Sequence, residues 1–178
     1  MFKTARSLVS ENRNMTTTAA TGEFTTDGLP HGRTSLTPHI VVARAADAID
    51  FYRDVFGATV HGVTRFGDIV AHAEIEFASG RMTLSDSMES YGLVAPTAGA
   101  AVSYSLALYV PDVDDVVTRA ADAGATIREP VSTFVSGDRF GSILDPFGVR
   151  WSVQTRVDDL SDEESNRRVE EWAATQQG

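Results

Sequence analysis

Three groups of side chains in this sequence have types and spacing that could do chemistry. The first is His39, a lone imidazole within the apolar stretch LTPHIVV. A ring with an ordinary pKa of about 6.5 can move a proton near neutrality, ligate a metal, or serve as a hydrogen-bonded wall. The second is His72 and Glu74 in IVAHAEIEF. Alternate residues of a strand share a face, so this imidazole and carboxylate are neighbours. With His39 they would supply a His2Glu set of the kind that leaves a metal open for catalysis. Equally, they would make a solvated His–Glu pair. The third is Arg139 in GDRFG, whose guanidinium could grip a carboxylate or phosphate through two N–H bonds. Its alternative is an ion pair with Asp138 or Asp145 that holds a turn. Phe134 and Phe140 could stack on a ligand or pack in the core. Asp86 could cap a turn or stand at a site's rim. The chain has no cysteine, hence no thiolate ligand or nucleophile. No Ser–His–Asp arrangement and no glycine-rich phosphate loop is recognisable.

These groups need elements to hold them. LTPHIVV reads as a strand. AADAIDFYRDVF carries apolar residues at Ala48, Ile49, Tyr52, Val55 and Phe56, which is helical spacing, and Gly57 stops it. ATVHGVTRF, IVAHAEIEF and RMTLSD are three further strands, turning at Gly67-Asp68 and Ser79-Gly80. After a loop punctuated by Gly and Pro the pattern restarts. VSYSLALYV is a strand, and DVDDVVTRAADA a helix with Asp112 as its N-cap. ATIREPVSTF, DRFGSILD and VRWSVQTRV follow as strands. FGATV at 56–60 answers AGATI at 123–127, so the chain contains two copies of a βαβββ module. The expected fold is α+β: two βαβββ modules forming a curved mixed sheet around a cleft, plus a C-terminal helix capped by Ser161. The expected layout is a flexible segment over 1–34, the two-module domain over 35–157, and an acidic helix over 158–178. Met15 is an alternative start.

The 178 residues are 42% hydrophobic and 22% charged, ordinary for a globular chain. No apolar run approaches the roughly 20 residues of a membrane helix, and the N-terminus lacks the apolar core of a secretory signal. The expectation is a cytoplasmic protein with no membrane partner. A net charge of −10 repels phosphate backbones, which argues against nucleic acid as a partner.

Taken together, LTPHIVV, AIDFYRDVFGA, AHAEIEF, LSD, LYVPDVDDVVTRAADAGAT, GDRFGSILDPFG and RWSVQT resemble the vicinal oxygen chelate superfamily. That superfamily includes glyoxalase I, extradiol dioxygenases, and bleomycin- and fosfomycin-resistance proteins. Within it the chain is similar to the PhnB-like branch, over about Gly28 to Val157. The resemblance implies a divalent metal held by four side chains on the first and fourth strands of each module. Those positions fall on Thr37 or His39, Thr83, Ser105 and Ser152. Hydroxyls are poor ligands beside imidazole and carboxylate, so neither a metal nor another cofactor is expected. The resemblance also implies a homodimer and a small-molecule ligand or substrate. His39 and Glu74 are then the acid/base candidates. His72, Thr83, Ser105, Tyr109, Arg139, Phe140, Ser152 and Gln154 are the substrate-binding candidates, and alternation adds Ser85 and Ala107 to the cleft face. Three functions remain in play: a metal-independent enzyme acting on a small oxygenated molecule, a ligand-sequestering protein, and a metal-dependent glyoxalase or dioxygenase.

Overall fold

The computed structural model describes residues 18–97 and 100–176. The chain divides into a unit ending at Leu36 and a unit starting at Thr37. In the first, β1 (Thr25–Thr26) and β2 (Leu29–Pro30) pair antiparallel. Asp27 and Gly28 turn between them, both with positive φ, the geometry that two-residue hairpins favour. Of the segment expected to be flexible, residues 1–17 lie outside the described residues.

The second unit carries both modules. Module one is β3 (His39–Val41), α1 (Ala45–Phe56), β4 (Thr59–Phe66), β5 (Ile69–Glu76) and β6 (Arg81–Ser85). Its strands lie in the order β3-β6-β5-β4, with β3 parallel to β6. Module two is β7 (Leu106–Tyr109), α2 (Val113–Asp122), β8 (Thr126–Thr133), β9 (Asp138–Leu144) and β10 (Arg150–Arg156). Its order is β7-β10-β9-β8, with β7 parallel to β10. The modules have the same topology, and the expected curved sheet is realised as two four-stranded mixed sheets. Helix α3 (Asp162–Thr175) follows.

Local chemistry sets the helix ends. The carboxylates and hydroxyls forecast as caps do that work: Asp112 accepts from the Asp115 N–H and Ser161 from the Glu164 N–H. Helix α1 lacks such a residue, because Arg44 precedes it in a left-handed conformation. Asp86 substitutes from the end of β6. Its two oxygens accept from the N–H groups of Ala45 and Val70, each at 2.8 Å, which tie α1 and β5 to β6. Asp86 is therefore a cap.

One core joins the modules. Ile40, Val70, Ala73, Ile75, Met82 and Leu84 are buried from sheet one, with Val42 just beyond β3, and Ile143, Trp151 and Val153 from sheet two. Burying a side chain of this size contributes about 1.5–3 kcal/mol. Tyr52 and Phe56 of α1 meet the Trp151 indole, with ring centroids 5.3 and 4.8 Å apart, so the helix of module one packs on the sheet of module two. Asp145, buried at 4% exposure, pins this junction. One of its oxygens accepts from Tyr52 Oη at 2.8 Å and Trp151 Nε1 at 3.0 Å. The other accepts from the N–H groups of Phe147 and Val149, both at 2.9 Å.

Candidate functional site

Register places His39. Strand β3 pairs His39 with Thr83, Ile40 with Leu84 and Val41 with Ser85. Ile40 and Leu84 are buried. The two-residue period then puts His39, Val41, Thr83 and Ser85 on the opposite face. His39 Nδ1 lies 2.8 Å from Thr83 Oγ1, and Nε2 lies 3.4 Å from Ser85 Oγ. The Ser85 hydroxyl donates to the Asp86 carbonyl at 3.0 Å, and that of Thr83 to the Pro38 carbonyl at 3.4 Å. The His72 ring lies parallel to that of His39, with centroids 6.4 Å apart.

Partial burial, and secondarily the neighbouring His72, lowers the His39 pKa below its ordinary value. The ring is therefore neutral at pH 7. Replacing His72 by Gln removes the smaller cause and leaves the larger. An NMR titration of the imidazole should find His39 titrating below about 6.5 in the wild type, and higher, but still lowered, in His72→Gln. An unchanged His39 titration would show that the two rings are not coupled.

A cavity of about 400 Å³ opens against this imidazole, lined by His39, Val41, Val94, Pro96, Thr97, Ala100–Tyr104 and Gly148. That volume suits a small organic ligand. Most of its wall is the loop between the modules. Gly148 makes the close approach possible: its φ is +87°, and a Cβ there would stand 2.8 Å from the Pro96 Cβ. Tyr104 adds a phenol whose pKa is raised by burial and by the nearby Asp145. These loop residues were not among the sequence-based candidates. The available signal was the Gly- and Pro-rich composition of a long loop between two repeats, since such loops often carry function.

Glu74 is on the same sheet face, opposite Thr83 in register. Its carboxylate is clasped by Arg81 Nη1 at 2.5 Å, while Arg81 Nη2 reaches Glu76 at 3.2 Å and His61 also bonds Glu76. Among the described residues no three His, Asp or Glu side chains come together to hold a metal ion, so His39, His72 and Glu74 do not form the His2Glu set.

The remaining candidates belong to sheet two. Gln154 is opposite Tyr109 on one side and Phe140 on the other, and Ser152 is opposite Ala107 and Ser142. Tyr109 donates to Asp138 at 3.3 Å. Phe140 meets Phe134 edge-on at 6.3 Å, and Phe134 meets Trp172 of α3 at 4.9 Å. Ser105 is exposed and precedes β7, so Ala107, not Ser105, is the residue paired with Ser152. Arg139 is on the other face. It shares that face with Gly141 and Ile143, and it donates twice to Asp114 of α2, through Nε and Nη2 at 2.6 Å each. Its ion pair is therefore with Asp114, not with Asp138 or Asp145, and it stands apart from the other candidates.

Paired βαβββ modules with this connectivity agree with the comparisons. Residues 34–153 match the Glyoxalase/Bleomycin resistance protein/Dioxygenase superfamily, and the chain belongs to it. It is 34% identical over 134 residues to an uncharacterized protein of Mycobacterium bovis, a match spanning 73% of this chain and 88% of that one. Its fold is similar to that of a Pseudomonas aeruginosa protein, with a TM-score of 0.59 and 21% identity over 70% of this chain and 99% of that one. It is also similar in fold to a PhnB protein from Bacillus cereus, with a TM-score of 0.54 and 19% identity over 68% and 99% of the two chains.

The superfamily's usual metal can be tested against the donors present. The positions offer one imidazole, on His39, whose Nδ1 is occupied by Thr83. The others offer the hydroxyls of Thr83 and Ser152, with Ala107 or the displaced Ser105 as the fourth. Neutral hydroxyls do not supply the carboxylate or imidazole donors that such a cation requires. This donor set does not fit the group.

Proposed function

We propose that the protein binds a small oxygenated organic molecule in the cavity beside His39, and that the neutral imidazole accepts a proton or a hydrogen bond from it without a metal. The observation that carries this reading is the His39 ring itself, held by Thr83 at Nδ1 and exposed to a cavity of ligand size. With the Thr83 hydroxyl donating to the Pro38 carbonyl, its oxygen accepts from Nδ1–H. In that tautomer the Nε2 lone pair, 3.4 Å from Ser85 Oγ, is available as a base. Apolar walls from Val41, Val94, Pro96 and Val102 would bind the ligand's carbon frame.

One observation favours sequestration as a second reading. The group at Nδ1 is a hydroxyl and not a carboxylate, so nothing strengthens His39 as a base in the way an Asp or Glu partner would. The test is a thermal-shift screen of phenols, α-hydroxycarbonyl compounds and epoxides, followed by product analysis for each binder. Binding without turnover supports sequestration, and turnover supports the enzyme. Ligands that bind His39→Ala as tightly as the wild type would refute both.

Metal independence has its own check. Protein purified without chelator should contain no stoichiometric transition metal by elemental analysis. Stoichiometric metal that is lost in Ser152→Ala would overturn this reading. The homodimer also belongs to the proposal. The exposed side chains of Val63, Phe66 and Ile69 along the β4–β5 hairpin offer an apolar surface for a partner copy. Light scattering at micromolar concentration should report twice the chain mass of 19.2 kDa, and a monomer would count against it.

A further inference from the structure

A second cavity, of about 310 Å³, adjoins the first. Both have Ala100, Ala101 and Val102 in their walls, and the second is completed by Arg128, Leu144 and Arg150. Two guanidinium groups in one small cavity are notable in a chain of net charge −10. Arg150 sits at the start of β10 and donates through Nε to Ser142 Oγ and through Nη2 to Glu129, both at 2.9 Å. Arg128 is placed by an irregularity of the sheet. Ile127 pairs with Ile143 and Glu129 with Ser142, so β8 advances two residues while β9 advances one. The extra residue of this bulge is Arg128. Bulges re-aim side chains in this way, and here Arg128 and Glu129 come to stand beside the Ser142 that Arg150 holds. Glu129 offsets one of the two positive charges. Among the described residues, no hydrogen bond or ion pair engages the Arg128 side chain.

We propose that Arg128 and Arg150 form an anion subsite that takes the oxyanion group, carboxylate or phosphate, of a small-molecule ligand. Guanidinium groups suit this task because their N–H donors lie in one plane and match two oxygens at once. Arg150 is oriented in advance by Ser142 and Glu129, while Arg128 brings a charge that no partner among the described residues engages. The subsite stands on these residues and does not depend on the role assigned to His39.

The test is calorimetric titration of the full chain with inorganic phosphate, and separately with acetate, at constant ionic strength held with sodium chloride. At least one of the two anions should bind saturably, and the preferred one identifies the oxyanion class. Arg128→Gln should weaken that binding at least tenfold. Arg128→Lys should lose less, because it keeps the charge while removing the planar donor pair. His39→Ala should leave anion binding unchanged. Absence of saturable binding by both anions would overturn the proposal. So would equal affinity in Arg128→Gln, or a loss in His39→Ala as large as that in Arg128→Gln, which would move the anion to the first cavity.

Discussion

Replacing Asp145 by Ala should lower the stability of the fold by on the order of 3–5 kcal/mol, because it removes one acceptor from four donors in a closed interior. Tyr52 Oη, Trp151 Nε1 and the N–H groups of Phe147 and Val149 all end on this carboxylate. Tyr52 belongs to module one and Trp151 to module two, so the change would loosen the junction as well as the turn. Thermal unfolding should show a midpoint about 10 °C lower. If the alanine variant does not fold, Tyr52→Phe reads a single bond, with an expected loss of about 1.5–3 kcal/mol because the acceptor is a carboxylate. An Asp145→Ala midpoint within a degree or two of the wild type would refute the role. The pH dependence has a definite sign. Burial raises the Asp145 pKa above its ordinary value, so its contribution to stability grows as pH falls from neutrality through that raised pKa. Asp114 behaves oppositely: its bond to Arg139 lowers its pKa, and its contribution is lost as pH falls.

His39→Ala should leave the fold nearly intact and remove most of the ligand interaction. The ring is on the uncovered face of β3, while Ile40 beside it is in the core. Thr83 and Ser85 keep their bonds to the Pro38 and Asp86 carbonyls when the imidazole is gone. If His39 only binds, ligand affinity measured by calorimetry should fall by about 1–3 kcal/mol. If it is a general base, turnover should fall about 10²-fold or more, and KM should change less. His39→Gln distinguishes the two, since an amide can accept a hydrogen bond but cannot carry the proton. Retained affinity with lost turnover assigns the base, and recovery of both assigns binding alone. A His39→Ala protein unchanged in both would remove His39 from the site.

Much of the architecture was legible in the sequence because it depends on local and periodic signals. Gly57 and Gly124, 67 residues apart, both end helices in left-handed conformations, and the two βαβββ modules follow from that repeat. The caps at Asp112 and Ser161 are short-range hydrogen bonds between residues three apart. The face of His39 followed from its apolar neighbours, since strand alternation needs no tertiary information. Partners distant in sequence were another matter. Alternation alone puts Arg139 on the face opposite Phe140 and Gln154, but only the packing of α2 on sheet two supplies Asp114 as its partner. Asp145 looks like a turn residue in DPFG. Its reach to Tyr52, 93 positions earlier, exists only because α1 packs against β10. The cavity beside His39 is closed by Val94, Pro96, Thr97 and residues 100–104, which show no periodicity, with Pro96 packed close on Gly148. Arg128 owes its position to a bulge, a shift in pairing between two strands that neither strand's own pattern encodes. Residue types and spacing determined the modules, the caps and the face of each strand. Tertiary structure alone decided which polar groups distant in sequence meet, because a hydrogen bond requires the two groups within about 3 Å, and only the packed fold brings remote segments that close.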